Sequence, residues 1–173
     1  AKKWEKEGIF RNYCINLLQM NYFFETYECK IDDKGRIKLP SSLMKHLSHF
    51  PEQDLVVKRA VFQKCLEVYP QKPWEKLMNK INGLNRFIKK NADFIRMFTA
   101  GVKTIEVDKA ERLLIPKDLK TFANLQKEIV ISGVGEFFEI WDKESYEQNI
   151  AISETDFATI SEEVMGSIDF NEE

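Results

Sequence analysis

Of 173 residues only three are cysteine and two are histidine. Cys14, Cys29 and Cys65 are odd in number and widely spaced, and they contain no CxxC pair, which excludes a paired-cysteine metal or redox motif. They read as reduced thiols in a cytoplasm. His46 and His49 stand i, i+3 on one helix, a spacing that can hold a metal, but no cysteine or third histidine joins them. A solvent-facing pair and no metal are expected. No apolar run approaches the roughly 20 residues needed to cross a bilayer. Arg11, Asn12 and Asn16 break up the apolar residues of the N-terminal stretch, so no membrane or secretory segment is expected. Walker A, G-x-S-x-G and H-E-x-x-H sequences are all missing. The GVG at 133–135 lacks the continuation of a dinucleotide loop and lies between two strand-like runs, so it reads as a hairpin turn. No catalytic residue, cofactor or small-molecule substrate is expected.

Charge is present in quantity but unevenly placed. The net charge of −2 argues at first against a polyanionic partner. Residues 142–173, however, hold ten acids and one base, Lys143, for a net of −9, which leaves +7 on residues 1–141. The body is basic and the tail acidic. With 43% hydrophobic residues the chain can bury one sizeable core, or two small ones sharing an interface.

The body is an internal repeat. IDDKGRIKLP (31–40) returns 76 positions later as VDKAERLLIP (107–116), with Asp32/Asp108, Arg36/Arg112 and Pro40/Pro116 in register. CLEVYP (65–70) then lines up with FFEIWD (137–142). One supersecondary unit is used twice. In the first copy Phe23, Glu25, Tyr27, Cys29 and Ile31 share a face at period two, and Ile37 and Leu39 alternate with Arg36 and Lys38, as strands require. Ser41 or Ser42 is placed to cap a short helix with Leu43, Leu47 and Phe50 on its buried face. Strands at 55–59 and 65–70 follow. A helical stripe then runs through Trp74, Leu77, Met78, Ile81 and Leu84, and a second helix is expected over 85–99 with Phe87, Phe94, Ile95 and Phe98 inward. The second copy repeats the plan: strands KTIEVD and RLLIP, a helix from Lys117 with Leu119, Phe122 and Ala123, and strands EIVIS and FFEIW paired across GVGE.

These patterns divide the chain into an extension (1–20), a first repeat (21–72), connecting helices (73–100), a second repeat (101–145) and an acidic tail (146–173). Met20 immediately precedes the repetitive body and is the expected natural start. A last helix is expected over 143–152. Beyond about Ser153 the excess of acids and lack of bases predict disorder. No Pro/Gly-rich linker separates the halves, so the repeats are expected to pack as one pseudo-symmetric unit.

In D-x-x-x-R the Asp32 carboxylate can accept the turn amides that follow it, while Gly35 supplies positive φ. Arg36 then stands just after the turn with a fork of donors suited to phosphate or a guanine edge, flanked by Lys34 and Lys38. A purely structural role, Asp32 bridging Arg36 to hold the turn, accounts for the same residues.

The ordered set IDDKGRIKLP, CLEVYPQKPWEKL, VDKAERLLIPKDL and FFEIWD resembles the MraZ family of transcriptional regulators over roughly residues 20–150. The resemblance implies an α+β fold: duplicated AbrB-like, swapped-hairpin units forming a pseudo-symmetric double-split β-barrel with flanking helices. It implies binding of double-stranded DNA at repeated sites upstream of the chain's own operon in the division and cell-wall cluster. It also implies a homo-oligomeric ring, nucleoid-associated in the cytoplasm. DNA contact falls to Arg36 and Arg112, with Lys34, Lys38 and Lys109 nearby, and turn-holding to Asp32, Gly35 and Asp108. The second turn departs from the pattern, with Glu111 for Gly35 and Ala110 for Lys34. It is therefore expected to use another turn or carry strain, and the two prongs are expected to be unequal. A function of another class, an AbrB-like antitoxin or interaction module using the acidic tail, stands beside the regulator.

Overall fold

The computed structural model describes residues 22–51 and 54–168. The N-terminal extension with Cys14, and the start expected at Met20, lie outside the described residues. The described residues divide into two compact units, one ending at Lys143 and the other beginning at Glu144.

In the first unit, each repeat supplies four strands and a short helix. Repeat one contributes β1 (Thr26–Lys30), β2 (Arg36–Lys38), α1 (Ser41–Leu47), β3 (Asp54–Arg59) and β4 (Leu66–Pro70). The connecting helices are α2 (Gln71–Asn82) and α3 (Lys89–Phe98). Repeat two contributes β5 (Lys103–Glu106), β6 (Arg112–Leu114), α4 (Lys117–Phe122), β7 (Glu128–Gly133) and β8 (Phe138–Asp142).

The fold is α+β, and the repeats exchange strands. Six antiparallel strands form a sheet in the order β1-β7-β8-β4-β3-β5, while β2 and β6 make a separate two-stranded ribbon. Cys29 of repeat one pairs with Ile129 of repeat two, and Ile105 of repeat two pairs with Leu55 of repeat one. At the centre β4 meets β8, with Glu67 opposite Glu139. In the ribbon Ile37 faces Leu113. Ile37, Leu39, Leu113 and Ile115 are buried in one core with Leu43, Leu119, Ile129 and Phe138. Period-two alternation turns Arg36, Lys38, Arg112 and Leu114 to the opposite face of that ribbon. Neither repeat could bury these apolar strands alone, and their exchange explains why no linker divides them.

Several local expectations are corrected. Helix α1 has Pro40, not a serine, at its N-cap, and no side chain caps it. The fixed φ of −61° at Pro40 already sets the entry into the helix. Phe87 is 99% exposed, because α3 begins only at Lys89 and the Asn85 side chain holds the preceding turn by accepting from the Phe87 amide. Phe94, also expected inward, is exposed as well.

The second unit contains most of α5 (Lys143–Ile150) and all of α6 (Glu154–Met165). Disorder was expected from Ser153 on, yet α6 is regular. Ser153 Oγ caps it by accepting from the Asp156 amide, and Glu154 and Asp156 lie in the first turn, where acids complement the helix dipole. Composition registered the acids but not that they sit where a helix favours them.

Candidate nucleic-acid interface

Each D-x-x-x-R segment forms the same turn. Asp32 Oδ1 accepts the amides of Lys34 and Arg36, both at 2.9 Å, and its carbonyl accepts the Gly35 amide at 2.9 Å. In the second copy Asp108 Oδ1 accepts from Ala110 at 2.8 Å and Arg112 at 2.9 Å, and its carbonyl accepts from Glu111 at 2.9 Å. Gly35 has φ +83°, and a Cβ there would lie 3.1 Å from the Ile115 carbonyl oxygen. Glu111 takes the matching left-handed conformation at φ +57°. Of the two expected outcomes, another turn or strain, the second copy keeps the turn and carries the strain, about 1–2 kcal/mol.

The aspartates also orient the arginines. Arg36 places Nε and Nη2 at 2.7 Å from Asp32 Oδ2, and Arg112 places the same two atoms at 2.9 and 2.8 Å from Asp108 Oδ2. Among the described residues no partner occupies Nη1 of either, so each guanidinium is braced along one edge and keeps its end for another ligand. The side chains are 31% and 35% exposed. The turn-holding and ligand-binding roles are thus compatible. The Arg36 amide holds the Asp32 carboxyl below the ordinary carboxylate range, aided by the guanidinium, and the Arg112 side chain does the same for Asp108. A depressed folded-state pKa contributes stability that is present above the ordinary range and lost as pH falls through the folded value. Asp32→Asn with Asp108→Asn should therefore flatten the acid limb of a stability-against-pH curve. An unchanged limb would show that the turns do not contribute to it.

The ribbon register distinguishes the two prongs. Arg36 lies opposite Leu114 and Lys38 opposite Arg112, so all four share one face. Leu114, which is 56% exposed, occupies in repeat two the position that Lys38 holds in repeat one. Lys38 is not free: its Nζ donates to Glu111 Oε2 at 2.6 Å and to the Ala110 carbonyl at 2.8 Å. This ion pair was missed in the sequence because its partners are 73 residues apart and meet only through the β2–β6 exchange. Glu111→Gly should relieve the left-handed strain while giving up one exposed ion pair, for a net stabilisation of about 1 kcal/mol. It should also release Lys38. Thermal melts check the first effect, and a lower Tm would show the ion pair to outweigh the strain.

The remaining candidates lie as follows. Lys34 is exposed on the first turn, and Lys109 is exposed beside Asp108 on the second. His46 departs from the solvent-facing expectation: it packs 4.6 Å from Phe23 and is half-buried, and burial lowers its pKa. His49 is exposed. Among the described residues no group of three His, Cys, Asp or Glu side chains could hold a metal, and no helix is long and apolar enough to cross a membrane. Burial raises the pKa of the Cys29 and Cys65 thiols, which favours their protonated form. The GVG hairpin forms as expected, and a side chain on Gly133 would strike the Phe23 backbone at 2.4 Å.

Comparison with known proteins places this chain in a family. A family model described as "MraZ protein, putative antitoxin-like" matches residues 22–97 and again 97–167. The transcriptional regulator MraZ of Christiangramia forsetii is 59% identical over 146 residues, which is 84% of this chain and 94% of that protein. The protein of the same name from Flavobacterium psychrophilum is 54% identical over 153 residues, covering 88% of this chain and 98% of that protein. A third, from Mycoplasmoides gallisepticum, is 37% identical over 126 residues, 73% of this chain and 85% of that protein.

Proposed function

This chain belongs to the MraZ family, and on that premise we propose that it is a DNA-binding transcriptional regulator reading repeated sites upstream of its own operon through the Asp32–Arg36 and Asp108–Arg112 turns. Its relatives are named as transcriptional regulators, not as enzymes. The observation that carries the DNA reading is the outward face of the β2–β6 ribbon. There two guanidinium groups, each braced on an aspartate, stand diagonally across the Ile37–Leu113 pair with their ends available. Such an end matches phosphate oxygens or the O6/N7 edge of guanine. The net charge of +7 on residues 1–141 favours a polyanionic partner. The protein works in the cytoplasm, at the nucleoid.

A gel-shift titration against the DNA upstream of its own gene, with a scrambled duplex as control and at two salt concentrations, tests the reading. Tighter binding of the upstream DNA, falling steeply with salt, is expected. No preference over the scrambled duplex would sink it.

Copies of the chain assemble into a homo-oligomeric ring. Support comes from two exposed apolar segments of opposite net charge: Phe87, Ile88, Phe94 and Met97 lie among Arg86, Lys89, Lys90 and Arg96, with Asp93 pairing Lys89 and Arg96, whereas Phe157, Ile160 and Val164 lie among Glu154, Asp156, Glu162 and Glu163. Unlike surfaces that complement each other join head to tail, and such contacts form a ring where the rotation between copies closes. The same acidic helix, together with the antitoxin-like description of the matching family model, favours an antitoxin-like module. Deleting residues 153–173 separates the readings: loss of the large species in light scattering supports self-assembly, and loss of a co-purifying protein supports the module.

A further inference from the structure

Beside the Gly35 turn lies a groove to which both repeats contribute, with Lys34 on one side and Leu114, Lys117 and Lys120 on the other. We propose that this groove is a track for one strand of the DNA backbone, in which Lys34, Lys117 and Lys120 neutralise phosphates next to Arg36. The inference rests on the DNA-binding reading and names the residues that give one prong the larger share.

The chain exchange creates the groove. Strand β6 lies against β2, and the Ile115 amide donates to the Gly35 carbonyl at 2.8 Å, which brings the segment leading into α4 against the turn of the other repeat. Lys117 and Lys120 stand i, i+3 on α4 and so share a helix face. Among the described residues none of the three ammonium groups takes part in an ion pair, unlike Lys38, held by Glu111, and Lys103, held by Asp118. Among the described residues Asp33 is the only acid lining the groove. Around the second turn the matching positions are Ala110 for Lys34, Ser41 for Lys117 and Met44 for Lys120. One turn therefore has three unpaired cations beside it where its twin has Lys109. An extended, cation-lined groove fits a backbone strand, since phosphates repeat along it and need no base-specific donors.

The test is a salt series, over about 50–200 mM, of fluorescence-anisotropy titrations with the full chain, using the upstream duplex and a scrambled duplex. Lys117→Ala/Lys120→Ala should weaken both duplexes by the same factor, about tenfold at the low-salt end, and reduce the slope of log affinity against log salt by about 1.8. Ser41→Lys, at an exposed position, should steepen the slope by about 0.9. Three results would overturn the track: an unchanged slope in the double variant, an equal change from Lys72→Ala/Lys80→Ala on α2, or a loss confined to the upstream duplex. A wild-type chain that binds neither duplex overturns the DNA reading itself, whereas wild-type binding with an unmoved slope overturns the groove alone.

Discussion

Arg36→Ala is expected to weaken binding of the upstream DNA by about ten- to a hundredfold, and Arg112→Ala by less than about tenfold. The two guanidinium groups are nearly superposable in their bracing, so the difference cannot come from the arginines or their aspartates. It comes from what stands next to each. Arg36 adjoins a Gly35 turn, Lys34 and the groove holding Lys117 and Lys120. Arg112 follows Glu111, whose carboxylate is drawn onto Lys38 and neutralises the one cation opposite Arg112 on the ribbon. A bidentate arginine contact is worth about 1–3 kcal/mol, and it reaches the upper part of that range only where the surrounding potential favours the anion. Arg36→Lys should rescue little, because an ammonium cannot bridge an aspartate along one edge and grip DNA with a fork at the other. Anisotropy titrations of the single variants with upstream and scrambled duplexes measure this. Equal losses for the two alanine variants would refute the ranking, and Glu111→Gly should narrow the gap between them without reversing it.

The parts of this molecule that depend on short-range pattern are legible in the sequence. Alternation at Arg36, Ile37, Lys38 and Leu39 fixed which side chains face inward, and the return of Asp, Arg and Pro at constant offset located both turns. Strand partners were not readable. Nothing local indicates that Cys29 pairs with Ile129 and not with a neighbour in its own repeat, because exchange within a duplicated chain leaves every local pattern unchanged. For that reason Lys38 looked available, and Lys117 and Lys120, 81 and 84 residues beyond Arg36, did not look like part of its surroundings. The tail differs for another reason. Its acid content predicts disorder, yet Ser153, Glu154 and Asp156 are a cap followed by a first turn, and the apolar Phe157, Ile160 and Val164 recur at helical spacing behind them. Position outweighed composition.

Glu67→Ala should destabilise the fold by about 3–5 kcal/mol, a large share of the roughly 5–15 kcal/mol a domain has. Lys58 is fully buried on β3 and lies 4.4 Å from the centre of the Phe98 ring. Its ammonium donates to Glu67 Oε2 at 2.8 Å and to the Arg59 carbonyl at 2.7 Å, and Tyr69 donates to the same Glu67 oxygen at 2.9 Å. Removing the carboxylate leaves the cation without its counter-charge and the Tyr69 hydroxyl without its acceptor. The pair itself need not be stabilising relative to hydrocarbon, so Lys58→Met/Glu67→Leu should lose much less than Glu67→Ala. Thermal melts of the three proteins decide it: a fall of roughly 10 °C for the single variant is expected, and a near-normal Tm would show that water or a rearranged acceptor replaces Glu67. Repeat two supplies an internal control. Glu139 lies directly across β4–β8 from Glu67, but its own strand partner is Ser132 where Glu67 has Lys58. Burial raises the Glu139 pKa despite a hydrogen bond from Trp141 Nε1 at 2.7 Å. A carboxyl raised in the folded state lowers stability as pH climbs through its folded pKa, so Glu139→Gln should be neutral or stabilising at pH 7 while Glu67→Gln is not. Because this pair lies on the sheet and not on the ribbon, Glu67→Ala should keep the wild-type salt slope at temperatures where it is folded. That separates a lost scaffold from a lost DNA contact.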